Sequence, residues 1–121
     1  MGETWEDRLD MAVSLSELGV ASIPVNALVP IKGTPFEAYE TLSENDILRT
    51  IAFFRYINPT ANIRLAAGRC LMKNNGENAF KSGASATITG NMLTTSGSTI
   101  ESDKRMFALM ERDVIPDYLK K

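Results

Sequence analysis

The chain has 121 residues, 44% of them hydrophobic, with 13 basic and 15 acidic side chains, enough for one globular domain. A net charge of −2 without a basic stripe argues against a nucleic-acid partner, and no apolar run is long enough to span a bilayer. The single cysteine, Cys70, excludes an internal disulfide framework, and the absence of histidine removes Ser-His-Asp and Cys-His triads, histidine-ligated zinc and the usual neutral-pH base.

The first residues, Met1 to Asp7, are acidic and polar, so no secretory signal is expected, and with one cysteine the location expected is the cytoplasm. Thr4, with Asp7 three positions on, marks a helix start, because the side-chain oxygen can cap the first free amides. Met11, Leu15 and Leu18 fall on one face of this helix, with Leu9, Ala12 and Val13 beside them, and Gly19 stops it. Ile23, Val25, Ala27 and Val29 then alternate with Ser22, Pro24, Asn26 and Leu28. Both sets are largely apolar, which predicts a strand covered on both faces. Pro30, Gly33 and Pro35 turn it into a loop.

Ser43 and Asp46 repeat the capping pattern ahead of a helix whose apolar face is Ile47, Ile51 and Phe54; Asn58-Pro59 closes it. Ile63 to Ala66 predicts a second strand ending at Gly68-Arg69. A short helix over Gly76 to Ser82 stops at Gly83, and Ala86 to Thr89 predicts a third strand ending at Gly90-Asn91. Ser98 and Glu101 form a further capping box before a helix carrying Met106, Phe107, Met110 and Val114, with Pro116 beyond. The predicted order is α-β-α-β-α-β-α, an α/β chain with parallel strands. Three strands are too few to close a (β/α)8 barrel of TIM type, and the outer strands would be left as open edges for something to cover.

In parallel α/β folds, function collects at the carboxyl ends of strands, which here are Asn26 to Gly33, Arg64 to Arg69 and Gly90 to Ser98. Asn26 is either a buried amide bonded to neighbouring backbone or a ligand-facing group. Arg64, between Ile63 and Leu65, needs a partner, because an unpaired buried charge is costly; it makes a structural ion pair or faces an anionic ligand or metal cluster. Thr94, Thr95 and Ser96 offer hydroxyls before a helix start, suited to a carboxylate or phosphate, or simply to a solvated loop. Cys70 beside Arg69 reads as a reactive thiol or a buried inert one. No glycine spacing matches a dinucleotide or phosphate-binding loop.

Pro24-Val25-Asn26-Ala27-Leu28-Val29-Pro30-Ile31-Lys32-Gly33-Thr34-Pro35 resembles the sixth-strand segment of the biotin synthase family. Ile63-Arg64-Leu65-Ala66-Ala67-Gly68-Arg69 is similar to the next strand of that family, and Gly90-Asn91-Met92-Leu93-Thr94-Thr95 to the one after. Gly2-Glu3-Thr4 resembles the end of the glycine-rich segment after the fifth strand. The resemblance covers nearly the whole chain and implies the C-terminal portion of a radical S-adenosylmethionine enzyme that inserts sulfur into dethiobiotin to make biotin. It implies a partial (β/α)8 barrel over 1–121, with about 48–115 as the biotin and thiamin synthesis associated domain.

By the same resemblance, Arg64 is a ligand of the auxiliary two-iron two-sulfur cluster. Asn26, Thr94 and Thr95 meet dethiobiotin, and Glu3 and Val29 lie near the S-adenosylmethionine cofactor. The family's C-x-x-x-C-x-x-C motif for the four-iron four-sulfur cluster is absent, as are its other cluster cysteines, and Cys70 falls at no ligand position. The chain alone is therefore expected to bind neither cluster and to be inactive. Two other readings stay open: a free-standing half barrel that self-associates into a homodimer through its open edges, and a small-molecule-binding module that kept the pocket and lost the chemistry.

Overall fold

The computed structural model describes residues 1–91 and 97–114 and divides the chain into two units, residues 1–88 and 89–121. In the first unit, helix α1 (Trp5–Glu17) leads to strand β1 (Ser22–Val25), helix α2 (Glu44–Ile57), strand β2 (Asn62–Leu65), helix α3 (Glu77–Ser82) and strand β3 (Ala86–Thr87). The second unit holds helix α4 (Ile100–Leu109). The element order is the one expected from the sequence.

The helices begin where side chains satisfy their free amides. Asp7 N–H donates to Thr4 Oγ1 at 3.2 Å and Thr4 N–H donates to Asp7 Oδ2 at 2.7 Å, a reciprocal cap for α1. Ser43 caps α2 through the Asp46 amide. Helix α4 departs from expectation by one residue: Thr99 is its cap, accepting from the Ser102 amide, and the helix ends before Val114, with Glu111 in the left-handed region. A hydroxyl on either Ser98 or Thr99 can serve, so the pattern alone does not choose.

The three strands form one open parallel sheet in the order β1-β2-β3, with Ser22 opposite Asn62 and Arg64 opposite Ala86. It is a small open sheet, not a closed barrel. Strands β1 and β3 are shorter than predicted, although Ile88 N–H still donates to the Leu65 carbonyl and Ala27 N–H to the Ala67 carbonyl.

The two faces of the sheet differ. Ile23, Ile63 and Leu65 are buried with Ile47, Ile51, Phe54, Ala79 and Phe80 from the helices. The alternate positions, Ser22, Pro24, Asn62, Arg64 and Ala86, are exposed or half-buried. The expectation that β1 is covered on both faces is therefore corrected: one face is packed and the other is open.

The apolar face assigned to α1 is corrected as well. Only Ala12 is buried on this helix, while Met11 is 55% and Leu18 76% exposed. Helix α2, in contrast, buries the face expected of it, Ile47, Ile51 and Phe54. Asn58, at its end, is buried and donates through Nδ2 to the carbonyls of Ala12 and Phe54 at 3.1 and 3.3 Å, joining α1 to α2.

Candidate functional site

Residues of both faces of β1, Ile23 to Val25, and the two that follow it, Asn26 and Ala27, line a cleft of about 450 Å³ together with residues of α1 and α2. Among the described residues β1 pairs with β2 alone, so the cleft lies at the free edge of the sheet. Its walls are largely apolar, contributed by Met11, Leu15, Leu42, Ile47 and Phe54, and its polar groups include Glu3, Asp7, Arg8, Asn26 and Thr50.

Arg8 is fully engaged. Its Nε and one terminal nitrogen donate to Glu3 Oε1 at 3.2 and 3.0 Å, the other terminal nitrogen donates to Thr50 Oγ1 at 3.0 Å, and the guanidinium lies 4.6 Å from the Trp5 ring centre. The Glu3 carboxyl is lowered from 4.5 to about 2, first by its bond from the Met1 ammonium, against opposition from partial burial and with help from Arg8. The sequence offers no signal that brings Arg8 or Thr50 to this cleft, because their meeting depends on how α1 lies beside α2.

Asn26 follows directly after β1 and is exposed, not a buried amide. Its Oδ1 nevertheless accepts from the Ala67 N–H at 3.0 Å, fastening the loop after β1 to the loop after β2. The structure brings Asn26 and Glu3 to one cleft. Val29 is half-buried in the loop beyond Asn26 and does not line that cleft.

Arg64 lies on the open face of β2, on the same side as Pro24, its register partner. Its Nε is buried and has no hydrogen-bond partner among the described residues, and none of the described ion pairs includes it. The structural ion pair that the sequence left open is thus not formed among them. A buried guanidinium nitrogen without an acceptor carries a desolvation cost, so its position is suited to an acceptor supplied from outside this set of residues.

Thr94 and Thr95 lie outside the described residues. The described residues on either side of them are tied together within the second unit: Gly90 N–H donates to the Ser98 carbonyl at 2.8 Å, and Gly97 N–H to Asn91 Oδ1 at 3.1 Å. Cys70 is exposed, which corrects the reading of it as a buried thiol. No group of three or more histidine, cysteine, aspartate or glutamate side chains suited to a metal occurs among the described residues, and no described helix is long and apolar enough to cross a membrane.

The family model of the Biotin and Thiamin Synthesis associated domain matches residues 24–112. The chain is 66% identical over 110 residues to a biotin synthase of Alkaliphilus metalliredigens, covering 91% of this chain and 35% of that protein. It is 64% identical over 106 residues to a biotin synthase of Clostridium beijerinckii, covering 88% of this chain and 34% of the relative. A biotin synthase of Brachyspira hyodysenteriae is 62% identical over 106 residues, covering 88% of this chain and 32% of the relative. The chain thus spans about a third of the length of the relatives it matches, and the matched stretch is their C-terminal portion.

Proposed function

The chain belongs to the Biotin and Thiamin Synthesis associated domain family, and from that premise we propose that it supplies the C-terminal third of a biotin synthase. In this reading the three parallel strands are one arc of a (β/α)8 barrel, and the open face bearing Arg64 looks into it. The observation that carries the reading is the buried Arg64 Nε, on the open side of the sheet and without a hydrogen-bond acceptor among the described residues.

Asn26, Thr94 and Thr95 bind dethiobiotin in this proposal, and Glu3 and Val29 stand near S-adenosylmethionine. The donor set of this chain does not fit a whole iron–sulfur cluster. Such clusters are held by several thiolates, whereas this chain has Arg64 and one cysteine, exposed and outside the ligand pattern. It can offer one ligand to the two-iron cluster, and the thiolates for both clusters must come from other parts of an enzyme. Those clusters would supply radical generation and sulfur, and the chain alone performs neither. The residues of this chain would position substrate and close part of its chamber, in a cytoplasmic enzyme.

The open edge of β1 and its apolar cleft support covering by more polypeptide, either the remaining barrel strands or a second copy of this chain. Replacing the matched third of the Alkaliphilus relative by this chain tests the proposal. Growth of a biotin-requiring host on dethiobiotin, lost on Asn26→Ala, is the expected result. A folded chimera that gives no biotin overturns it. Solution mass of the isolated chain shows separately whether the edge is covered by self-association.

A further inference from the structure

The chain contains one Asn-Gly dipeptide, Asn75-Gly76, in the turn before α3. An asparagine followed by glycine is open to attack by the glycine amide nitrogen on the side-chain carbonyl carbon, because glycine adds no side chain to hinder the approach. The turn containing it is unusual. Asn74, Asn75 and Gly76 are successive left-handed residues, with φ and ψ of 49° and 40°, 52° and 36°, and 91° and 22°. Asn75 is exposed, so its amide is open to solvent, while Gly76 is buried.

We propose that Asn75 is a latent deamidation site that the folded turn holds unreactive and that opening of this turn releases. Closing the five-membered ring requires the Gly76 nitrogen to lie on the same side of the Asn75 Cα–C bond as Cβ. A ψ of 36° rotates that nitrogen nearly to the opposite side. The rotation that would bring it round also moves the Asn75 carbonyl, and that carbonyl is held by Arg69, whose Nε donates to it at 3.0 Å. Arg69 is itself buried, and one terminal nitrogen donates to the Ile88 carbonyl at 3.2 Å, so the latch is anchored at the end of β3.

Once the turn opens, the Gly76 amide nitrogen loses its proton and forms a bond to Asn75 Cγ, and ammonia leaves, giving a succinimide. Water then opens the ring at either carbonyl. One product is aspartate. The other is isoaspartate, in which the main chain runs through Cβ and Cγ and is one carbon longer. There the carbonyl carbon that now faces Arg69 becomes a free carboxylate, and the turn into α3 cannot keep its length.

The test is incubation of the purified chain in mildly alkaline buffer, native and in denaturant, followed by peptide mass mapping of each asparagine. Deamidation at Asn75 is expected to be about tenfold or more faster in denaturant, because the reactive rotamer is reached only through local opening. Arg69→Lys is expected to raise the native rate and to leave the denatured rate unchanged. Equal native and denatured rates at Asn75 overturn the proposal, as does a denatured rate at Asn75 no greater than that at Asn74 or Asn78. Should Arg69→Lys fail to fold, the native-to-denatured ratio of the unaltered chain decides alone.

Discussion

Gly68 faces Ala27 so closely that a Cβ built on the glycine would stand 2.6 Å from the Ala27 Cβ, with the Ala27 carbonyl nearer still. This contact packs the loop after β2 against the loop after β1, beside the hydrogen bond from the Ala67 N–H to Asn26 Oδ1. Gly68 also has φ of 90°, so it meets two demands that only glycine satisfies together. Gly68→Ala is expected to lower the unfolding free energy by about 2–4 kcal/mol, the sum of a left-handed penalty and a clash with backbone that cannot move aside. Gly33, with φ of 84° and nothing within 4 Å, is the control. Gly33→Ala should cost only about 1–2 kcal/mol in the same urea titration. Equal losses for the two would mean that the approach to Ala27 is not tight.

Arg55 ties the end of α2 to the segments entering β2 and β3. Its Nε donates to the Gly83 carbonyl, one terminal nitrogen to the carbonyls of Asn58, Pro59 and Ala61, and the other to the Ser85 hydroxyl, at 2.6 to 3.2 Å. Arg55→Met keeps the stem and removes every donor. The expected loss is roughly 2–4 kcal/mol, because several part-buried carbonyls lose a charged partner at once. Arg55→Lys should recover less than half of it, since one ammonium cannot match the fork of a guanidinium. Denaturant midpoints of the two variants measure both effects.

The order of elements was legible because its punctuation is local. Thr4 with Asp7, Ser43 with Asp46, and the stops at Gly19 and Gly83 act within a few residues of themselves. Which faces are covered was not legible, because that depends on what lies across from them. Pro24 and Leu28 alternate with Ile23 and Val25, and such a run reads as buried on both sides, yet Pro24 is exposed. Leu18, on the apolar face expected of α1, and Leu9 and Val13 beside that face are exposed for the same reason. The candidate site follows this division. Arg64 stood out as a charge among apolar neighbours, whereas the bonding of Asn26 to Ala67 spans 41 positions and leaves no local trace.

The start of α1 should be sensitive to acid. Glu3 is lowered from 4.5 to about 2, chiefly by the Met1 ammonium, and Asp7 is lowered chiefly by its bond from the Thr4 backbone amide. Each carboxyl holds its proton less readily in the folded chain than in the unfolded one. The Glu3 contribution is therefore complete above about pH 4.5 and is lost as pH falls from there towards 2, and that of Asp7 is lost as pH falls below its ordinary value of 3.8. The Glu3 side chain is 37% exposed, so solvent screening limits its share to below about 1 kcal/mol. Glu3→Gln should flatten part of the stability loss between pH 4.5 and 2, read by circular dichroism against urea at each pH. An unchanged acid profile in Glu3→Gln would remove Glu3 from the account.

Arg64 provides the sharpest separation of structure from function, because it is the opposite of Arg55. Its Nε is buried without an acceptor among the described residues, so the isolated chain bears a desolvation cost there that hydrogen bonds to Nε do not offset. Arg64→Met has similar length and needs no acceptor. In the isolated chain it is expected to leave the unfolding free energy within about 0.5 kcal/mol or to raise it, as for buried charges replaced by apolar side chains. In the chimera with the Alkaliphilus relative, the same substitution should weaken retention of the two-iron cluster, measured as iron and acid-labile sulfide per protein, while the chimera remains folded. A loss of roughly 2 kcal/mol or more in the isolated chain would instead make Arg64 a structural residue. An unaltered cluster content in the folded variant chimera would remove it from the ligand set.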